Sequence, residues 1–279
     1  MTVFFELLKS LLYGIIEGIT EWLPVSSTGH LILMGEFLPM DVSDNFSEMY
    51  DVVIQLGAIL AVIVLFFHKL NPFAASKSSV EKKGTWSLWA RVCVAVIPSA
   101  VIGLLLDDWL DEHLYNYITV AITLILYGIL FIVIEKLRPA SKATIQTVDG
   151  ISYKTAFLMG AFQMLALIPG TSRSGSTILG GMLLSLSRGA AAEFSFFMAI
   201  PTMLGASLLK VVKLVLEGVV LTGTEWGVLA VGCVSAFAVS LCTIKFLMDF
   251  VKKHSFSVFG VYRIVLGVLV LGYFLFVGR

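Results

Sequence analysis

The stretch EGITEWLPVSSTGH, residues 17–30, sets Glu17 and Glu21 four apart and then places Ser26, Ser27, Thr28 and His30 behind a proline. On a helix the two carboxylates share one face, and such a pair can hold a divalent cation. The hydroxyls follow Pro24 and precede the apolar run LILMGEFL, where the first turn of a helix is expected. Unpaired N–H groups and the helix dipole make such a start attractive to phosphate, although plain capping would use the same hydroxyls. His30 lies two residues beyond Thr28, within reach of the same pocket, and an imidazole suits proton transfer near neutral pH. A second cluster, IPGTSRSGST at 168–177, brings Ser172, Arg173, Ser174, Ser176 and Thr177 to another expected helix start. The planar fork of arginine donates two hydrogen bonds to phosphate at once. If the two starts meet, they form one anion pocket. Ser26, Thr28, Ser172, Arg173, Ser174 and Thr177 would bind phosphate there, with Glu17 and Glu21 as metal ligands. Glu17, Glu21, Ser27, His30 and Arg173 would carry the chemistry.

The elements that position these residues must lie in a membrane. Hydrophobic residues make up 58% of the 279, mean hydropathy is +0.96, and only 14% are charged, against roughly 25% in soluble domains. The reading is an all-α polytopic membrane protein. A charge at membrane depth costs roughly 2.5–3.5 kcal/mol, so Glu17 and Glu21 point to function where a soluble surface would make them an ordinary polar face. Formal charge is zero, and no nucleic-acid partner is expected. Cys93, Cys233 and Cys242 lie in apolar stretches without metal spacing and read as packing residues. The opening MTVFFELLKS lacks the basic region and cleavage site of a removable signal peptide.

Six apolar runs are long enough to span: about 51–67, 88–106, 117–135, 190–209, 227–246 and 258–277. Residues 3–38 and 153–186 are different, each being two short apolar pieces interrupted by Pro, Ser, Thr and Gly. Such pieces read as re-entrant helix pairs, because broken backbone at membrane depth must be buried in protein or face a wet cavity. Loop charges alternate: acidic at 36–51, basic from Lys69 to Lys83, acidic at 107–112, basic from Lys136 to Lys154. With lysine and arginine loops inside, both termini come out external, and the pocket opens to the external face. Sliding the chain by 146 residues lays Gly14, Ser26, Gly29, Ile32, Leu33 and Gly35 on Gly160, Ser172, Gly175, Ile178, Leu179 and Gly181. The order of a broken pair and three spans thus occurs twice, over 3–139 and 152–279, within a single membrane domain of residues 1–279. Three spans per half make the repeats inverted, and paired interrupted segments in inverted halves point to a binding site at the midplane. In this alignment Glu17, Glu21 and His30 face Gln163, Leu167 and Ser176, so one half brings acid–base groups and the other positive charge. Gln55, Gln163, Glu193 and Arg263 could line the cavity or pair with neighbouring helices, and the structural role is favoured for each.

EGITEWLPVSSTGH and PGTSRSGST, with DVVIQLGAILAV and AAEFSFFMAIP, closely resemble the undecaprenyl-diphosphatase family, also called the bacitracin-resistance protein family, over nearly the whole chain. The acidic E-x-x-x-E signature of that family falls on Glu17 and Glu21, its histidine on His30, and its P-G-x-S-R-S-x-x-T signature on Pro169, Gly170, Ser172, Arg173, Ser174 and Thr177. The resemblance implies a multi-pass enzyme of the bacterial plasma membrane. It would remove the terminal phosphate of undecaprenyl (C55 isoprenyl) diphosphate, recycling the lipid carrier for cell-wall synthesis and conferring bacitracin resistance. It also implies dependence on a divalent metal ion, Mg or Ca. A long-chain polyprenyl diphosphate and the bilayer are then the partners, and a homodimer stays open.

The type-2 phosphatidic-acid phosphatase pattern fails here, because its histidine would fall at Leu179 and its lysine at Phe131. An inverted-repeat secondary transporter or lipid flippase is the other reading, since the same architecture hosts them. For the nucleophile Ser27 is favoured, activated by Glu21 or His30, with metal-activated water as the other route.

Overall fold

A computed structural model of the chain describes residues 3–277. The expectation that both termini are external concerns residues 1, 2, 278 and 279 and lies outside the described residues. In chain order the helices are α1 (Val3–Thr20), α2 (Ser27–Phe37), α3 (Asp44–Leu65), the short α4 (Phe67–Leu70), α5 (Ser79–Leu114), α6 (Tyr117–Leu137), α7 (Tyr153–Met164), α8 (Arg173–Leu183), α9 (Arg188–Leu216), α10 (Gly223–Lys253) and α11 (Ser257–Val277). Among the described residues the only β pairing is an isolated bridge between Ile145 and Leu186. Among the described residues, six helices are long and apolar enough to cross a membrane: α3, α5, α6, α9, α10 and α11. The chain is a multi-pass membrane protein.

Local chemistry sets where these helices begin. Capping boxes start α5 and α10: Ser78 and Thr222 accept from the backbone three residues on, while Glu81 and Glu225 reach back. The box at Ser78 explains why α5 begins at residue 79, well before the apolar run that starts at 88. The first interrupted segment also differs from expectation, since α1 runs for 18 residues. Gly14 and Gly18 lie within it as a small-residue edge and face α10 at close range. A Cβ at Gly14 would collide with the Ser235 hydroxyl and the Gly232 carbonyl, and one at Gly18 would come within 2.7 Å of the Ala236 carbonyl.

Close approach recurs through the molecule. α7 lies along α5, with Gly160 directly against the Ala95 carbonyl. α6 and α11 cross at Gly128 and Gly260, where a Cβ on either would meet the other's carbonyl at 2.7 and 2.6 Å. Small residues let backbones meet where lipid offers no hydrophobic drive for association. The first half of α9 (Ala190–Ile200) is almost entirely buried and carries Phe194, Phe196 and Phe197. Its second half exposes large apolar side chains such as Leu208 and Leu216. α8 and Trp22, one from each interrupted segment, rest on the buried part.

Candidate active site

The turns before α2 and α8 share one unusual backbone state. Ser26 and Ser172, 146 residues apart, both have φ 74°. Left-handed backbone is uncommon for a residue with a side chain and costs of order 1–3 kcal/mol, so other groups must hold it. Each serine caps its own helix: Ser26 Oγ accepts from Gly29 N at 3.3 Å, and Ser172 Oγ from Gly175 N at 3.1 Å. Ser174 Oγ donates to the Glu21 and Leu23 carbonyls at 3.0 and 3.3 Å, which joins the second turn to the first. The fully buried Arg263 of α11 completes the union. Its Nη1 donates to Pro24 O at 3.2 Å, and its Nη2 donates to Gly170 O and Thr171 O at 2.8 and 3.0 Å.

The joined turns bring three of the expected catalytic residues into direct contact. Ser27 Oγ donates to Glu21 Oε2 at 2.6 Å. Arg173 Nε and Nη2 donate to the other carboxylate oxygen, Oε1, at 3.1 and 3.0 Å. Arg173 Nη1 donates to the Ser195 carbonyl at 2.8 Å and to its hydroxyl at 3.3 Å, while the guanidinium stands 5.8 Å from the ring centre of Trp22. Glu21 and Ser27 are buried. A serine hydroxyl donating to a buried carboxylate, which a guanidinium holds from the other side, is an activated-nucleophile arrangement.

The remaining candidates divide. Thr28 and Ser172 line a cavity beside this cluster, together with Glu21, Ser27 and Arg173. Ser26, Ser174 and Thr177 are nearly or wholly buried, and their hydroxyls bind neighbouring backbone or side chains; Thr177 Oγ1 donates to Arg173 O and meets Ser195 Oγ at 2.6 Å. His30 lies outside the cavity lining and bonds the Ser26 carbonyl and the Tyr262 hydroxyl, each at 2.7 Å. Glu17 is fully buried, and neither of its carboxylate oxygens has a hydrogen-bond partner. An orphaned buried carboxylate one turn from Glu21 fits a cation. Among the described residues, no group of three or more His, Cys, Asp or Glu gathers to hold a metal.

The cavity has a volume of about 630 Å³, within the range of roughly 300–1,000 Å³ usual for small-molecule sites. Its polar end is the serine–carboxylate–arginine cluster, with Gln163 and Gln55 nearby. Gln163 Nε2 donates to Ser99 Oγ at 2.6 Å and to Thr202 Oγ1 at 3.1 Å. Its other end runs between α5 and α9 along Gly103, Leu104, Leu208 and Leu209, and Leu104 and Leu208 are exposed at the rim.

Sequence reasoning missed Ser195, Tyr262 and the tie made by Arg263. Arg263 did carry a signal, a lone charge in the apolar run VYRIVLGVLV, yet periodicity cannot show that it reaches the two turns rather than an adjacent helix. Ser195 in EFSFF carries none.

Fold and site together define a multi-pass helical membrane protein with a serine–carboxylate–arginine cluster at the polar end of an apolar cavity. The chain belongs to the family of bacitracin resistance protein BacA, whose profile matches residues 10–269. It is 56% identical to the undecaprenyl-diphosphatase of Lactiplantibacillus plantarum over 269 residues, which cover 96% of this chain and 98% of that protein. The corresponding protein of Enterococcus faecalis is 55% identical over 274 residues, covering 98% and 99%. That of Streptococcus mutans is 54% identical over 272 residues, covering 97% of each chain.

Proposed function

We propose that this chain is a phosphatase that removes the terminal phosphate of undecaprenyl diphosphate, the activity for which its relatives are named, and thereby supports cell-wall synthesis and bacitracin resistance. The observation that carries the mechanism is the hydrogen bond from Ser27 Oγ to Glu21 Oε2 at the polar end of the cavity. Ser27 Oγ attacks the terminal phosphorus and its proton passes to Glu21. The bond from that phosphorus to the bridging oxygen breaks, and undecaprenyl phosphate leaves with the electron pair. Glu21 gives that proton to the departing undecaprenyl phosphate. Water then attacks the phosphoserine and gives a proton to Glu21, which passes it to Ser27 Oγ as the bond from phosphorus to that oxygen breaks, releasing phosphate and restoring the hydroxyl. Arg173, Thr28 and Ser172 line the pocket and would contact the phosphoryl oxygens, while Ser26, Ser174 and Thr177 shape it from behind. A buried methylene contributes about 0.8 kcal/mol, so a long prenyl tail stays in the bilayer. The apolar channel between α5 and α9 gives that tail a path from the pocket to lipid.

Glu17 and Glu21 would hold a divalent ion, Mg or Ca, which when bound supplies positive charge to the diphosphate. With so few protein ligands, water and substrate oxygens would complete its shell, as Mg²⁺ tolerates. Phosphate release from undecaprenyl diphosphate in detergent is therefore expected to fall at least about tenfold on chelation and to return with Mg²⁺ or Ca²⁺. Full activity in excess chelator would remove the metal role from both glutamates. Because detergent abolishes any gradient, turnover there also separates an enzyme from a transporter or flippase.

The architecture we propose is one domain of two inverted repeats, 3–139 and 152–279, each a re-entrant pair plus three spans. What supports it is reciprocal packing: α1 lies on α10 and α7 on α5, each through the glycine that the 146-residue shift pairs, Gly14 and Gly160. Every group in the mechanism comes from one chain, so a homodimer is not required. The loop charges support a pocket that opens on the external face of the bacterial plasma membrane. A cysteine at Ser43, in a background free of Cys93, Cys233 and Cys242, is expected to react with an impermeant reagent added to intact cells, and one at Ser79 is not. The opposite labelling would invert the orientation.

A further inference from the structure

His30 follows Ser26 by four residues, as Ser176 follows Ser172, and the two positions are equivalent under the 146-residue shift. At each, the backbone N–H donates to the carbonyl of the left-handed serine, at 3.3 Å for His30 and 2.9 Å for Ser176. The side chains also do the same thing. His30 Nδ1 lies 2.7 Å from the Ser26 carbonyl, and Ser176 Oγ donates to the Ser172 carbonyl at 3.0 Å.

A carbonyl oxygen only accepts, so Nδ1 carries the ring hydrogen. Nε2 of the neutral ring then accepts from the Tyr262 hydroxyl at 2.7 Å, and the tyrosine ring lies parallel to the imidazole, 3° from coplanar planes with centres 5.8 Å apart. Both ring nitrogens are thereby committed away from the reacting atoms. Ser27, three residues before His30 on the same turn, has already given its hydrogen bond to Glu21. The groups facing the imidazole from α11 are Tyr262 and, nearby, Arg263, whose Nη1 and Nη2 are spent on the Pro24, Gly170 and Thr171 carbonyls.

We propose that His30 is a positioning residue, whose Nδ1–H holds the Ser26 carbonyl and so fixes the left-handed turn that presents Ser27 and Thr28 to the cavity. In the other interrupted segment a serine hydroxyl performs this task, so no titrating group is needed for it. The inference rests on the phosphatase reading of the site but not on which atom attacks, since it concerns the shape of the turn.

The test compares His30→Ala, His30→Ser and His30→Asn, each purified, checked for native-like thermal unfolding, and assayed for phosphate release from undecaprenyl diphosphate between pH 5 and 9. A turn misplaced by an ångström can cost about 10²-fold in rate, and the alanine variant is expected to lose roughly 30-fold in kcat. Serine and asparagine retain a donor in range of the carbonyl. They are expected to recover activity to within about fivefold of the native enzyme, with the shape of its pH profile. If folded serine and asparagine variants are no more active than alanine, or if a limb of the native profile near neutrality is missing from them, His30 is an acid–base group and the proposal is overturned. Should one of the two fail to fold, the other decides. Ser27→Ala in the same assay reports on the nucleophile separately, so failure of that reading is not confused with failure of this one.

Discussion

Arg173→Lys is expected to lower turnover by about 10²-fold or more while the protein stays folded. The native guanidinium makes four hydrogen bonds at once: Nε and Nη2 to Glu21 Oε1, and Nη1 to the carbonyl and hydroxyl of Ser195. One N–H of Nη2 is left over, and Arg173 lines the cavity where the phosphoryl group would sit. Lysine keeps the charge but is a point donor without the planar fork, so it cannot brace Glu21 against α9 and also reach an incoming phosphate. Glu21 would then lose its orientation toward Ser27, and the developing charge would lose a fixed donor. Separate kcat and KM values decide the point. A contact made mainly in the transition state lowers kcat and kcat/KM together, whereas simple loss of ground-state binding raises KM alone. A lysine variant with near-native kcat would leave Arg173 as a brace for the fold.

Much of the architecture was legible because membrane depth penalises whatever breaks an apolar helix. The interruptions at LPVSS and IPGTS therefore stand out, and the structure indeed places helix starts at Ser27 and Arg173. Gly14 and Gly18, four apart, form a small-residue edge on which another helix can pack, and α10 does so. The lengths of α1 and α5 were less legible, because α1 runs unbroken for 18 residues and a polar capping box at Ser78 extends α5 beyond its apolar run. Within the site, spacing brought Glu21, Ser27 and Arg173 to the right neighbourhood but could not assign directions. Successive residues at a helix start point about 100° apart, so a cluster such as Ser172 to Thr177 cannot all face one cavity. Ser172 and Arg173 do, while Ser174 and Thr177 turn to Glu21 O, Leu23 O and Ser195. Contacts such as those of Arg263 with Pro24 and Thr171 join residues far apart in the chain, and no local pattern encodes them.

Replacing Ser27 with alanine is expected to have the largest effect, a loss of about 10³-fold or more in kcat. The hydroxyl is the only oxygen of this side chain, and it donates at 2.6 Å to a buried carboxylate that Arg173 holds in place. Alanine is small and tolerated at the first turn of a helix, and the cap of α2 comes from Ser26 rather than Ser27. The fold should survive, so lost turnover would report chemistry. Native-like thermal unfolding of the variant would check this. Loss of activity alone would not separate attack by serine from attack by water that the hydroxyl orients. The covalent route differs in leaving a phosphoserine at residue 27. Acid quench of the native enzyme during turnover, followed by digestion and mass spectrometry, should find that adduct on Ser27 and nowhere else. If Ser27→Ala keeps substantial turnover, or the quenched protein carries no phosphate under conditions that trap other phosphoserines, the hydroxyl does not attack. Glu21 would then act on water directly, and Arg173, still bound to its Oε1, would keep the same task of holding the base toward the phosphoryl group.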